Sequence, residues 1–326
     1  MPKHPKMSAS ELGALWVTYQ KKTMILRLLE LFIEKADDPR GKDLMTGLWK
    51  KLRLKVVEIE KLFEAEGAIA PKGFTQEDIY LDVPKLFADH FDVMLCRILK
   101  EISMGMYVLH LTISYREDII KLYQELSMLT QTYYYYFTQY LLEKGALLHP
   151  NHAPMPTSYD IITSRDYMKG TNFFGHKRPL NAVEYGLLYH SIETNIIGKW
   201  LMTGFAQCAK DDAAKKYFKK GQELSDKILK DTLEVLMEYE LQPTTLGGTV
   251  TLSTEAPFSD KLMMFCSFLL CSFSLGGQGF STSFNFRNDL DIKTVLFGKD
   301  IYTFTRDGVS LMMSKGWLEE PPSMVH

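Results

Sequence analysis

The sequence predicts an all-α protein, a tandem repeat of two four-helix bundles with a long crossover between helices 2 and 3 of each. Three observations carry this. Apolar residues recur at helical spacing along most of the chain. The stretch Ser114–Pro150 returns as Asn285–Pro321 at an offset of 171, matching Arg116 with Arg287, Asp118 with Asp289 and Lys144-Gly145 with Lys315-Gly316. Near the start the offset is 173 and pairs Glu11 with Glu184, Leu28 with Leu201 and Phe32 with Phe205. Such a drift, absorbed in loops, is the mark of a duplicated domain. Third, residues 68–81 after the second helix hold Pro71 and Gly73 and have no helical period.

Helix 1 starts after Ser8, because Ser8-x-x-Glu11 is a capping box in which hydroxyl and carboxylate each take an orphan amide. Asn181-x-x-Glu184 places the same chemistry at the second start. Leu12, Leu15, Trp16 and Tyr19 form the apolar stripe, and Asp37-Asp38-Pro39-Arg40-Gly41 ends the helix near Ala36. Helix 2 carries Leu48, Leu52, Val56, Ile59 and Phe63 on one face and stops around Gly67. Pro243 lies in the corresponding crossover of the second copy. Asp82 and Ser253, both N-cap types, are expected to open helix 3, with Phe87, Phe91, Met94, Leu95, Ile98 and Ile102 buried. Helix 4 is expected from Ser114, opposite Asn285, with Asp118 and Asp289 in the first turn where the helix dipole favours a carboxylate. Gly145 and Gly316 stand where a helix ends on glycine.

The expected organisation is a first bundle over 1–150, a linker over 151–180 and a second bundle over 181–326. The linker is broken by Pro154, Pro156, Gly170 and Gly175, and its Tyr159, Ile161, Ile162, Phe173 and Phe174 imply packing along a bundle. A hydrophobic content of 46% with 24% charged residues is that of a soluble globular protein. With 38 basic against 40 acidic residues the net charge is −2, too small a field to attract nucleic acid or an anionic membrane. The polar start, with no apolar run or cleavage site, reads as no signal peptide, which makes the cytoplasm the expected compartment. Cys96, Cys208, Cys266 and Cys271 form no CxxC or finger spacing and read as buried free thiols.

The segments DVPKLFADHF at 82–91, YRED at 115–118 and LLEKGALLHP at 141–150, in a tandem duplicate, resemble a family of unknown function from endospore-forming bacilli. Its members often carry the label of spore coat proteins and are related to coat-F-like, ferritin-like bundles. The resemblance covers nearly the whole chain and is weaker in the second copy, where APFSDKLMMF at 256–265 and MMSKGWLEEPP at 312–322 stand in. It implies a ferritin-like fold for both bundles and a spore association, and it implies no activity.

Ferritin-like bundles often hold two metal ions through Glu-x-x-His, whose spacing turns both ligands inward. None of the eight histidines follows a glutamate at that spacing, so a dinuclear centre is not expected. The nearest approach is the reversed His190-x-x-Glu193, present in one copy only. These two residues are the candidate ligands for a single transition-metal ion; the competing reading is a polar pair on a helix surface or a hydrogen-bonded buried histidine. No other cofactor is expected. His149-Pro-Asn-His152 reads as a loop, and Gly276-Gly277-Gln278-Gly279 follows a helix-like run and not the strand that a phosphate loop needs. Arg116-x-Asp118 and Arg287-x-Asp289 lie two apart, a spacing at which helical residues do not face each other, and read as anchors of the corner between helices 3 and 4.

Tyr133-Tyr134-Tyr135-Tyr136-Phe137 exceeds one buried face, so part of it is expected to meet the sister bundle or a partner chain. Leu262–Phe286 has no charge; because it aligns with Asp92, Arg97, Lys100 and Glu101 of the first copy, it reads as a helix buried on every side and not as a membrane span. The shared Gly105/Gly276 suggests a close backbone approach at its middle. Three functional classes follow. The first is a non-catalytic structural or interaction protein, with the sister bundle, a second copy or spore proteins as partners. The second is a metal- or oxygen-handling bundle. The third is a binder of an apolar small molecule beside Met263, Met264, Phe268 and Phe273.

Overall fold

The computed structural model describes residues 5–169, 177–242 and 247–324. The readings on His4, Gly170, Phe173, Phe174, Gly175, His176, Pro243 and His326 fall outside the described residues. Eight α-helices dominate what is described: α1 (Ala9–Lys35), α2 (Pro39–Ala65), α3 (Phe91–Thr112), α4 (Glu117–Glu143), α5 (Ala182–Cys208), α6 (Asp212–Met237), α7 (Asp260–Phe284) and α8 (Asn288–Ser314). Neighbours in sequence pack as hairpins, α1 on α2 and α3 on α4, then α5 on α6 and α7 on α8. Contacts of α1 with α3 and α2 with α4 close the first bundle; α5 with α7 and α6 with α8 close the second. The two bundles meet where α3 lies on α5 and α7.

Local sequence sets the first turns. Ser8 and Asn181 both form full capping boxes, with Glu11 and Glu184 returning to the cap amide. Each glutamate also reaches across its bundle. Glu11 Oε1 accepts from Tyr115 N at 2.8 Å and Arg116 N at 2.7 Å, and Glu184 Oε1 accepts from Phe286 N at 3.1 Å. One carboxylate thus satisfies the orphan amides of two helix starts. Burial opposes the charge on both, but the donors prevail and both pKa values are lowered. Gly145 and Gly316 end α4 and α8 with the same left-handed φ of 66°, which glycine adopts without strain.

Helix 3 does not start at Asp82, nor its counterpart at Ser253. The N-caps are His90 and Ser259, because the residues before them are used for pairing between the copies. Strand β1 (Phe87–Ala88) of the first crossover runs antiparallel to β2 (Thr249–Val250) of the second, and Ile79 bridges Phe258. Asp78 fixes the cap of α7 by accepting Ser259 Oγ at 2.6 Å. Phe87, expected on a helix, leaves β1 to stack on Phe91 at 4.2 Å and to lie edge-on to Phe205 of the other copy at 6.3 Å. Helix 4 likewise starts later than Ser114 and Asn285, with Arg116 and Arg287 as N-caps. Their extended backbone lets each guanidinium fork onto Asp118 or Asp289, which a helical residue two positions away could not do.

The ends of the copies are exchanged in the same sense. Glu319, after α8, accepts Lys72 N at 2.6 Å and Gly73 N at 2.8 Å in the first crossover. Gly247 N in the second crossover donates to Ala146 O after α4 at 3.0 Å. A single apolar core therefore runs through both bundles. The linker's Tyr159, Ile161 and Ile162 are exposed and do not pack along a bundle, whereas Asn151 bonds to Tyr185 and Tyr167 lies edge-on to Phe286.

Helix α7 is not buried on every side. Its first half, Leu262–Leu269, lies in the core, whereas Phe280 is 60% and Phe284 44% exposed. By length and composition α7 could cross a membrane, and 39% of its most apolar window is buried in the fold. Nothing lies within 4 Å of a Cβ built on Gly276, so the close approach expected there does not occur; the tight contact is Phe273 against Gly105, at 3.3 Å. A tighter approach lies at Gly204 on α5, where an added Cβ would sit 2.5 Å from the Phe87 ring. Gly204→Ala should therefore cost about 1–3 kcal/mol by overpacking in a denaturant titration. Gly276→Ala should be neutral or add up to about 1 kcal/mol, through helix propensity alone.

Candidate binding cavity in the second bundle

His190 and Glu193, the candidate metal ligands, lie on the α5 face that meets α3, and both are engaged by side chains of the first bundle. His190 Nε2 is hydrogen-bonded to Glu101 Oε1. Arg97 Nη1 donates to Glu193 Oε2 at 3.3 Å while Nη2 donates to Tyr134 OH at 2.9 Å and Nε to Thr138 at 3.2 Å. Burial disfavours the imidazolium, but the Glu101 bond outweighs it and the His190 pKa is raised. Burial raises that of Glu193 and Arg97 offsets only part of the rise. Among the described residues no three His, Cys, Asp or Glu side chains converge as a metal site. Of the tyrosine run, Tyr133 and Phe137 are buried in the first bundle, Tyr134 joins this interface, and Tyr135 and Tyr136 are exposed. All four cysteines are buried and free.

Next to this interface the second bundle holds a cavity of about 110 Å³ between α5, α6, α7 and α8, closed on one side by Ile98 and Ile102 of α3. Of the residues expected around an apolar ligand, only Phe273 lines it. Met263 and Met264 are packed in the core, where Met263 Sδ lies 3.9 Å from Cys208 Sγ, and Phe268 packs beside them.

The duplicated frame explains why the space is there. Laid on the first copy by the two offsets, the inward positions of the second are mostly smaller. On α5, Thr194, Asn195 and Gly198 replace Lys21, Lys22 and Ile25. On α6, Gly221 and Ser225 replace Leu48 and Leu52. On α7, Cys271, Gly277, Gln278 and Ser281 replace Lys100, Met106, Tyr107 and His110, and on α8 Thr294 replaces Tyr123. Phe273, Phe297 and Ile301 are larger than Ile102, Leu126 and Thr130, and Leu187 is larger than Ala14, so part of the lost volume is returned. In the second copy α5 and α6 also lie closer together than α1 and α2 do in the first, and the space that remains between the four helices is the cavity.

In the first bundle that space is occupied by buried polar side chains. Lys22 Nζ donates to Tyr107 OH at 2.9 Å, and Lys21 Nζ lies 4.1 Å above the Tyr107 ring. Thr18 Oγ1 is 3.1 Å from His110 Nδ1 and 3.2 Å from Tyr123 OH. Lys100 is buried beside them with no carboxylate partner. Burial pushes its pKa down from 10.5 to about 8, and it also lowers those of Lys21 and Lys22, helped by the charge of Lys100. Because the folded pKa lies below the unfolded one, the unfolded chain binds more protons between these values, and stability should rise with pH from about 8 to 10.5. Lys100→Met should remove that part of the rise and stabilise the protein at pH 7 by roughly 2–3 kcal/mol, read from denaturant midpoints across pH.

None of the curated proteins matches the chain. Among solved structures, one described as a putative spore coat protein from Bacillus halodurans is similar over 46% of this chain and 98% of its own, at 16% identity and a TM-score of 0.43. A family pattern matches twice, over residues 1–158 and 168–326, once for each copy of the repeat. The chain thus belongs to the family described as Protein of unknown function (DUF3231) and carries it in tandem.

Proposed function

We propose that the chain is a non-catalytic binding protein whose second bundle takes up a small, largely apolar molecule, while the first bundle is a filled scaffold. The observation that carries this is the cavity standing where the first copy has Lys22, Leu48, Leu52, Lys100 and Tyr107. An apolar cavity of about 150 Å³ binds molecules such as benzene or xenon. The lining supports binding more than chemistry. Its titratable groups are His190, already engaged by Glu101, and Cys271, whose thiol burial pushes up to about 12 and so keeps protonated at neutral pH. A spore association rests on the residue resemblance alone; immunodetection in washed spores against vegetative cells checks it.

The binding reading is tested by restoring first-copy side chains. Gly277 has open space around its Cβ position and Ser225 faces the cavity, so Gly277→Met with Ser225→Leu should fold and fill it. Saturating 1-octanol should raise the melting point of the natural protein, by the equivalent of about 2–3 kcal/mol at a hundredfold excess over Kd. The double variant should be more stable without ligand and show no such shift. Equal shifts in both proteins would contradict the proposal.

A further inference from the structure

The cavity is graded along its length. Glu184 at the start of α5 bonds to Phe286 beyond the end of α7, so these two helices are antiparallel and their residues can be ordered by level. At the level of Ser191 and Asn195 the polar Gln278 and Ser281 of α7 and Thr294 of α8 gather beside the apolar Leu187, Ile228 and Phe297. Toward the level of Met202 stand Gly221, Leu270 and Phe304, all apolar. Ser191 to Met202 spans about 16 Å along the helix axis, so the space is elongated.

The polar groups at the first end differ in what they leave unused. Thr194 donates to His190 O at 3.1 Å, Asn195 Nδ2 to Ser191 O at 2.8 Å, and Thr294 to Leu290 O at 2.8 Å. The Asn195 Oδ1, the Gln278 amide and the Ser281 hydroxyl have no hydrogen-bond partner among the described residues, and these side chains border the cavity. They offer both donors and acceptors. Charge is balanced nearby without remainder, since His190 is paired with Glu101 and Arg97 with Glu193. The two buried carboxylate oxygens without a partner among the described residues, Glu101 Oε2 and Asp291 Oδ1, belong to residues that do not line the cavity. Gln278 and Ser281 are half-buried, so an ionised head group placed among them would lose part of its hydration and gain no counterion.

From this we infer that the ligand is an elongated, uncharged amphiphile, with a hydroxyl or carbonyl head held by Gln278, Asn195 and Ser281 and an aliphatic tail toward Met202, Gly221 and Phe304. The inference rests on the cavity-binding reading and specifies its ligand class.

Three probes with one eight-carbon tail test it by calorimetry on the full chain at pH 8: 1-octanol, octanoate and octylammonium. Octanol should bind at least tenfold more tightly than either ion, and Gln278→Leu should weaken octanol by about fivefold, the loss of one hydrogen bond, while leaving the ligand-free melting point nearly unchanged. Octanoate or octylammonium binding as tightly as octanol would overturn the neutral head while leaving the cavity a binding site. An unaltered octanol affinity in Gln278→Leu would overturn the placement of the head. No binding of any probe would overturn this inference and the binding reading together.

Discussion

Each bundle is held in shape by the other through the exchange of crossovers. Two residue pairs of antiparallel strand, the Asp78–Ser259 bond and the insertion of Phe87 against Gly204 join segments more than 100 positions apart in sequence. A crossover lying alone across a bundle would leave its amides to water; paired with its counterpart it satisfies them and brings Phe87 and Phe258 into the core. Burying one such ring is worth about 1.5–3 kcal/mol, so the exchange stabilises both copies and fixes α3 against α5. That contact sets Ile98 and Ile102 as a wall of the cavity.

With the frame fixed twice over, the interiors have diverged. The first copy fills its centre with Lys21, Lys22, Lys100, Tyr107 and Tyr123, a costly solution because three buried amines crowd one another and none forms an ion pair among the described residues. The second replaces the same positions with Thr194, Asn195, Cys271, Gln278 and Thr294, which relieves that cost and leaves space.

How much of this is legible in sequence depends on how local its cause is. The capping boxes at Ser8 and Asn181 and the glycines at 145 and 316 are readable because each rests on a few neighbouring residues. The start of α3 is not, because Asp82 offers a good local cap while residues 87–88 are claimed by a strand in the other copy. The exposed second half of α7 escapes composition for the same reason: absence of charge says that a helix avoids water on some face, not which neighbours arrive to cover it. His190 and Glu193 were singled out by spacing along one helix, whereas the partners that engage them, Glu101 and Arg97, stand on another. The cavity is a sum over four helices, invisible in any one of them. Its signal lies in the duplication, where most inward positions are smaller in the second copy than in the first.

Xenon pressurisation of a crystal tests the central claim, that one frame is filled in the first bundle and hollow in the second. The account predicts xenon density at the apolar end of the second bundle, near Met202, Gly221 and Phe304, and none among Lys21, Lys22 and Tyr107. Equal occupancy of both bundles, or a second bundle collapsed around its small side chains with no site for the gas, would contradict it.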